Sequence, residues 1–443
     1  MDLRSIYLLP VHWYLLWAVL VPVCLTVIPP RPYRAYVSTA LLYAVLVKAQ
    51  FFSPIDTSGG DASVALILQG VLLNLFFYTF NLFFLVEYPE LTDYRPRYET
   101  REHVRALRPC TWQKFSWCVQ RSVLVSLTGN GWNWQMSSVE HHRRRLHVST
   151  WLKHFLVNKL LVGYTLYDVF FHIYLSTAYI RTQGWGPGHT RDLVLFASDS
   201  TLPVWKQLIL AIGSAYCIHF GIDTLYTLTM IVHVFVLRTA SIDEFPPLFG
   251  SFQGQYTVRS LWGNVWHKLM YQLAIPQSKF LAGCDYKATH RNDRPRYGTE
   301  TWRKYLMFFL VFTFSGIFHA AGTLNMPWSL GAGYNTNSPF SGIHSGTLSG
   351  VLSRCFYSFI FFPAQFVLII LETLVQTLWN KCLRIRLPPA VTAAIGLTWI
   401  CLSEVYLLQF YIDELTKSGF NVAELVVPFT PVHYIFSHFN IRF

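Results

Sequence analysis

Residues 313–322, "TFSGIFHAAG", place a histidine inside a stretch apolar enough to cross a membrane. In a helix, Ser315, Gly316, Gly322 and Thr323 fall one turn to either side of His319 and share its face. Two readings follow. Small side chains let a neighbouring helix approach closely, with the polar ring bonding across the contact. Alternatively the ring looks into a substrate-sized gap and takes the proton of a hydroxyl there. A second histidine stands in "SLWGNVWHKL", where Trp262, Trp266 and Leu269 share one helical face, with Asn264 three residues before His267. That pattern predicts an amphipathic helix lying in the membrane interface, where tryptophan is enriched.

The rest of the chain explains why such histidines sit among apolar residues. Of 443 residues, 53% are hydrophobic, 17% aromatic and only 13% charged, against roughly 25% charged in soluble domains. The class is all-α: a polytopic transmembrane helix bundle with cytosolic interfacial helices, one integral-membrane domain over residues 1–443. Apolar runs of about 20 residues predict eight spans, near 7–28, 35–53, 62–87, 152–180, 205–237, 305–323, 353–378 and 390–411. The first is read as a retained span, since "MDLRSIYLLPVHWYLLWAVLVPVCLTVIPP" has no small-residue cleavage site.

Loop charge tests the count. The connections around Arg31 and Arg34, across 88–151, across 238–304 and at Lys381, Arg384 and Arg386 are basic, whereas 324–352 carries no Lys, Arg, Asp or Glu. Eight spans put every strongly basic connection on the cytosolic face and both termini in the lumen. Residues 203–238 are long enough to cross twice, and parity asks for one tilted crossing. The net charge of +12 is therefore a topology signal and implies no nucleic-acid partner. Eight scattered cysteines without a CxxC pair read as reduced, packed residues.

Three segments carry a family resemblance. "PPLFGSFQGQYTVRSLWGNVWHKLM" (246–270) resembles the proline–phenylalanine–glycine start and Ser-x-x-x-x-Trp-His block of the wax-synthase-like branch of the membrane-bound O-acyltransferases, in particular fungal acetyltransferases of secondary metabolism. "FSGIFHAAG" is similar to that family's intramembrane Ser-Gly-x-x-His segment. "SLTGNGWNWQ" (126–135) resembles its Arg-Gly-x-x-Trp-Asn motif, with Thr128 where arginine is usual. The likeness spans roughly 120–410. It implies that His319 is catalytic, and that His267 orients the donor thioester or assists as a second base.

Acyl transfer to an alcohol needs a base, donors for the oxyanion and exclusion of water. Asn264, the indoles of Trp262 and Trp266, and Ser315 are the residues placed to point at the thioester oxygen. No Gly-x-Ser-x-Gly elbow is present, so direct transfer in a ternary complex is expected. The expected co-substrate is acetyl-CoA or another acyl-CoA, with no bound cofactor and no metal. The resemblance implies an acceptor hydroxyl on an apolar terpenoid or meroterpenoid, reached from the bilayer, and the expected membrane is that of the endoplasmic reticulum. "KATHRNDRPRYGTETWRK" (287–304) and "HHRRR" (141–145) are the cationic stretches a CoA phosphate could meet.

Other classes fit less well. A di-iron hydroxylase needs several histidine boxes, and "HHRRRLH" stands without companions. A prenyltransferase needs spaced aspartates for magnesium diphosphate, which "IDEF" and "YIDEL" do not supply. A long-chain wax-ester synthase and a multi-span transporter stay open as alternatives.

The topology has its own test. Cysteine or glycosylation tags near Arg144 and Arg294 are expected to report cytosol, and tags near Gly333 lumen. A lumenal report at Arg294 means that residues 203–238 cross twice.

Overall fold

In hydrocarbon a chain must satisfy its own backbone, which long apolar runs do by coiling. Every regular element among the described residues of the computed structural model is a helix. The described residues are 11–52, 73–85, 107–122, 152–153, 155–170, 172–173, 203–238, 242, 245, 247–266, 271–284, 301–324, 348–383 and 387–417. Eleven helices run through them. They are α1 (Val11–Val27), α2 (Pro32–Phe52), α3 (Leu73–Leu85), α4 (Trp112–Ser122) and α5 (155–170). Then come α6 (Val204–Val236), α7 (Val258–Ser260, continued by a widened turn Leu261–Val265) and α8 (Tyr271–Leu281). The last are α9 (Thr301–Leu324), α10 (Leu348–Leu378, continued to Leu383) and α11 (Pro389–Lys417).

Four helices are long and apolar enough to span a bilayer: Val204–Val236, Thr301–Gly322, Cys355–Leu383 and Pro389–Ile412. They coincide with the last four expected spans. Residues 203–238 form one unbroken helix ending at Val236, 33 residues long, so a tilted single crossing fits it. Of the first expected span, 7–28, the described part holds the apolar helix His12–Val27, and α2 carries Arg34, fully buried, just before the second expected span. Of 62–87 and 152–180 only parts are described, and the 126–135 and 141–145 motifs lie outside the described residues. The cysteines are all free, but Cys110, Cys382 and Cys401 are exposed rather than packed.

Two apolar clusters organise the helices. Trp17, Leu25, Leu42, Leu46, Phe83 and Trp117 join α1 to α4, with the Trp17 indole donating to Thr79 Oγ1 at 3.0 Å. Tyr167, Phe220, Phe312, Phe361, Phe362 and Tyr411 join α5, α6, α9, α10 and α11. The spans also hold charge that the sequence reading passed over. Lys159 of α5 pairs with Asp223 of α6 at 2.7 Å and donates to Thr227 Oγ1 at 2.7 Å. A partnered pair is the form in which such groups persist in an apolar bundle.

Helices α9 and α10 make the tightest approach, and its cause is local. Pro363 has no N–H to offer the Phe359 carbonyl, and that carbonyl oxygen lies 2.5 Å from where a Cβ on Gly316 would stand. Of the two readings of the small-residue face, Gly316 itself serves close packing against Phe359. Below Pro363, α10 breaks at Cys355 (φ −124°, ψ 15°). The freed N–H groups of Tyr357 and Ser358 donate to Glu414 of α11 at 2.7 and 3.0 Å. A buried carboxylate thus caps the restarted helix.

Gly316→Val is expected to push α9 from α10 and cost about 1–3 kcal/mol, read as a lower melting temperature in detergent. Ile317→Val on the exposed face is the silent control. Equal melting temperatures for Gly316→Val and wild type would contradict this packing.

Candidate functional site

Three helices hold the His319 ring. Its face stacks on Phe362 of α10, with centroids 4.2 Å apart and planes 11° from parallel. Its Nδ1 lies 2.9 Å from the hydroxyl of Tyr411 on α11. Tyr411 is itself buried and stacks on Phe361, 5.3 Å between centroids. An imidazole gripped on one face and at one nitrogen has little rotational freedom, the preorganisation that proton transfer favours.

The second half of the site comes from residues 247–266. The run through Trp262, Trp266 and Leu269 was expected to lie in the interface, and its described part packs Trp262 against α9, α10 and α11. Thr257 and Ser260 form a capping box, the Thr257 hydroxyl accepting from Ser260 N at 3.0 Å. The N–H of Val258 donates to Glu372 of α10 at 3.4 Å. The chain then rises, and the Trp262 indole Nε1 donates to Gln365 Oε1 of α10 at 3.1 Å and Glu404 Oε1 of α11 at 3.4 Å. At about 1.5 Å per residue, Glu404 lies roughly 22 Å from Pro389 and roughly 12 Å from Ile412, well inside a span of 24 residues. Trp266 is extended (φ −67°, ψ 159°) and ends the widened turn, and Leu269 of the expected helical face lies outside the described residues.

Trp262 meets the His319 cage through shared aromatics. Its ring stands edge-on to Phe312, Phe361 and Phe362 at 6.0–6.1 Å. Phe362 therefore offers one face to His319 and an edge contact to Trp262. On the other side, Trp262 contacts Trp266 at 5.9 Å, Trp266 contacts Phe249 at 5.6 Å, and Phe249 lies 3.8 Å from His219 of α6. Gly250 makes this fold-back possible. Its N–H donates to Val265 O at 2.9 Å, and a Cβ would strike the Asn264 carbonyl.

The expected site residues are placed as follows. His319 and Trp262 come together around Phe362. Trp262 spends its N–H on Gln365 and Glu404, and Asn264 is exposed, its amide donating to Gln255 Oε1 at 3.0 Å. Trp266 packs against Trp262 and Phe249. Ser315 is half-buried on α9, one turn before His319. His267 lies outside the described residues. Tyr411, Glu404, Gln365 and His219 were not singled out from the sequence. Each is a polar residue in an apolar run, and that was the available signal.

Residues 245–334 match the membrane bound O-acyl transferase family, a stretch that contains α7, α9 and both histidines. The chain is 24% identical to the O-mevalon transferase yanI of Aspergillus niger over 326 residues, 72% of this chain and 69% of that protein. It is 25% identical to the O-mevalon transferase macI of Penicillium terrestre over 49% of this chain and 48% of the relative. To the acetyltransferase spyB of Aspergillus fumigatus it is also 25% identical, over 37% of this chain and 26% of the relative. The chain thus spans about two thirds of the first relative, about half of the second and about a quarter of the third. No solved structure matches it significantly.

Trp262→Phe leaves two buried acceptors without their donor and is expected to cost about 1–3 kcal/mol, with a fall in turnover as residues 247–266 loosen. Glu404→Gln keeps an acceptor in place and is expected to stay near wild-type stability. Thermal unfolding of both in detergent checks this, and an unaffected Trp262→Phe would contradict it.

Proposed function

With the membrane bound O-acyl transferase family matched over residues 245–334, we propose that this protein moves an acetyl group from acetyl-CoA to a hydroxyl of an apolar secondary metabolite, a terpenoid or meroterpenoid. The observation that carries the reading is the His319 ring clamped between Phe362 and Tyr411, beside the Trp262 segment that the match covers. His319 is the general base. The acceptor oxygen attacks the thioester carbonyl carbon as its proton passes to the imidazole. The carbon–sulfur bond then breaks, and the proton leaves on the sulfur as free thiol. The positive ring that exists between those moments lies on the face of Phe362, where a π system stabilises it. His267, immediately after the extended Trp266, orients the donor or assists as second base.

The geometry of access supports a membrane setting. An apolar alcohol partitions into the bilayer and reaches His319 from the side, while a water-soluble donor arrives from the basic cytosolic face. The proposed membrane is that of the endoplasmic reticulum. A second reading has its own support: yanI, the relative that shares most of its length with this chain, is named an O-mevalon transferase, so a mevalon group is the alternative cargo. A palmitoyl donor with a fatty alcohol, which would make the protein a wax synthase, is the third arm of the test.

The experiment is a donor and acceptor matrix in microsomes, read by the mass increase of the product. Acetyl transfer to a hydroxylated terpenoid is expected, and transfer only of palmitoyl to hexadecanol would overturn the proposal. His319→Ala is expected to lose turnover by about 10²–10⁴-fold while inserting normally, and His267→Ala to lose less. Wild-type turnover in His319→Ala would make the ring structural.

A further inference from the structure

We propose that Tyr411 is the positioning residue that sets the tautomer of His319, its phenol oxygen accepting the Nδ1 proton so that Nε2 is the nitrogen that receives the hydroxyl proton of the acceptor. The inference rests on the reading of His319 as general base and adds the group that makes it one.

An imidazole presents a basic nitrogen to a substrate only if its other nitrogen carries the proton, and the partner of that other nitrogen decides the matter. Here the partner is the Tyr411 hydroxyl, 2.9 Å from Nδ1. If the phenol donated instead, the proton would sit on Nε2, and the basic nitrogen would be occupied by Tyr411 itself. The phenol is held independently of the histidine. Its ring stacks on Phe361 at 5.3 Å, lies edge-on to Phe362 at 5.9 Å, and is buried on α11. Glu414, one turn along α11, accepts the backbone N–H groups of Tyr357 and Ser358 at 2.7 and 3.0 Å. The partner at Nδ1 is a neutral group, which avoids desolvating an ion pair at that nitrogen before the substrates arrive.

The proton balance is simple. Nε2 gains the acceptor's proton as the new carbon–oxygen bond forms, and gives it to the sulfur as the carbon–sulfur bond breaks. Nδ1 keeps its proton on Tyr411 throughout, and Tyr411 keeps its own.

Tyr411→Phe removes the oxygen and retains the ring that packs on Phe361. In purified protein, kcat is expected to fall on the order of tenfold to hundredfold, with both KM values within about twofold and a melting temperature lowered less than in Tyr411→Leu. Difluorotyrosine at 411, a weaker acceptor of the same shape, is expected to give an intermediate kcat. Tyr411→Leu, which also loses the ring, marks the purely structural effect by its lower melting temperature. Unchanged kcat in Tyr411→Phe and in the difluorotyrosine protein, with His319→Ala inactive, would overturn the role of Tyr411 and leave the base in place. A raised acceptor KM with unchanged kcat would also overturn it, because the phenol would then be touching substrate. Wild-type kcat in His319→Ala would instead bring down the base reading itself.

Discussion

A tryptophan N–H shared between two side chains in the middle of an apolar bundle is the constraint on which the site depends. Trp262 donates to Gln365 and Glu404, which belong to different spans and lie more than 100 residues away in sequence. Irregular backbone packed among apolar helices needs protein partners, and the part of residues 247–266 that meets α10 and α11 has them. Glu372 takes the Val258 N–H, Thr257 and Ser260 cap each other, Gly250 bonds Val265, and Asn264 bonds Gln255. Withdrawing the indole would leave two buried acceptors and remove the anchor that keeps the segment against α10 and α11.

What the anchor secures is a continuous aromatic contact from the connection between α6 and α9 to a histidine within a candidate span. Phe362 is the hinge of this arrangement, touching Trp262 by its edge and His319 by its face. The backbone around it is unusual for a span, with Pro363 following directly and a break at Cys355. Both irregularities are answered from neighbouring helices: Gly316 lets α9 close on the Phe359 carbonyl, and Glu414 caps the restarted turn. Gly316 thus lets the helices meet, and the aromatic and phenolic groups fix the orientation of the ring.

The pattern of what could be read from sequence follows from interaction range. Long apolar runs located α6, α9, α10 and α11 closely, because hydrophobicity over about 20 residues is a local property. His319 stood out for the same reason, as a polar residue in such a run. The inward turn of residues 247–266 was not legible, since the tryptophan spacing fits an interfacial helix equally well until Gln365 and Glu404 are known to face it. Tyr411 passed unnoticed within "YIDEL", where tyrosine is unremarkable until Nδ1 of His319 is found beside it. The Lys159–Asp223 pair was hidden likewise, each charge being isolated in its own run.

The most direct measurement asks whether residues 247–266 lie inside the bundle. A Cβ added to Gly396 of α11 would strike the Tyr256 carbonyl, so α11 and the segment meet backbone to backbone there. In a background lacking the native cysteines, Val258→Cys, at a position with no exposed surface, is expected to resist a membrane-impermeant maleimide in microsomes, and to react once Gly396→Val has pushed the segment off α11. Free labelling of Val258→Cys with glycine kept at 396 would place the segment on the surface and contradict the site described.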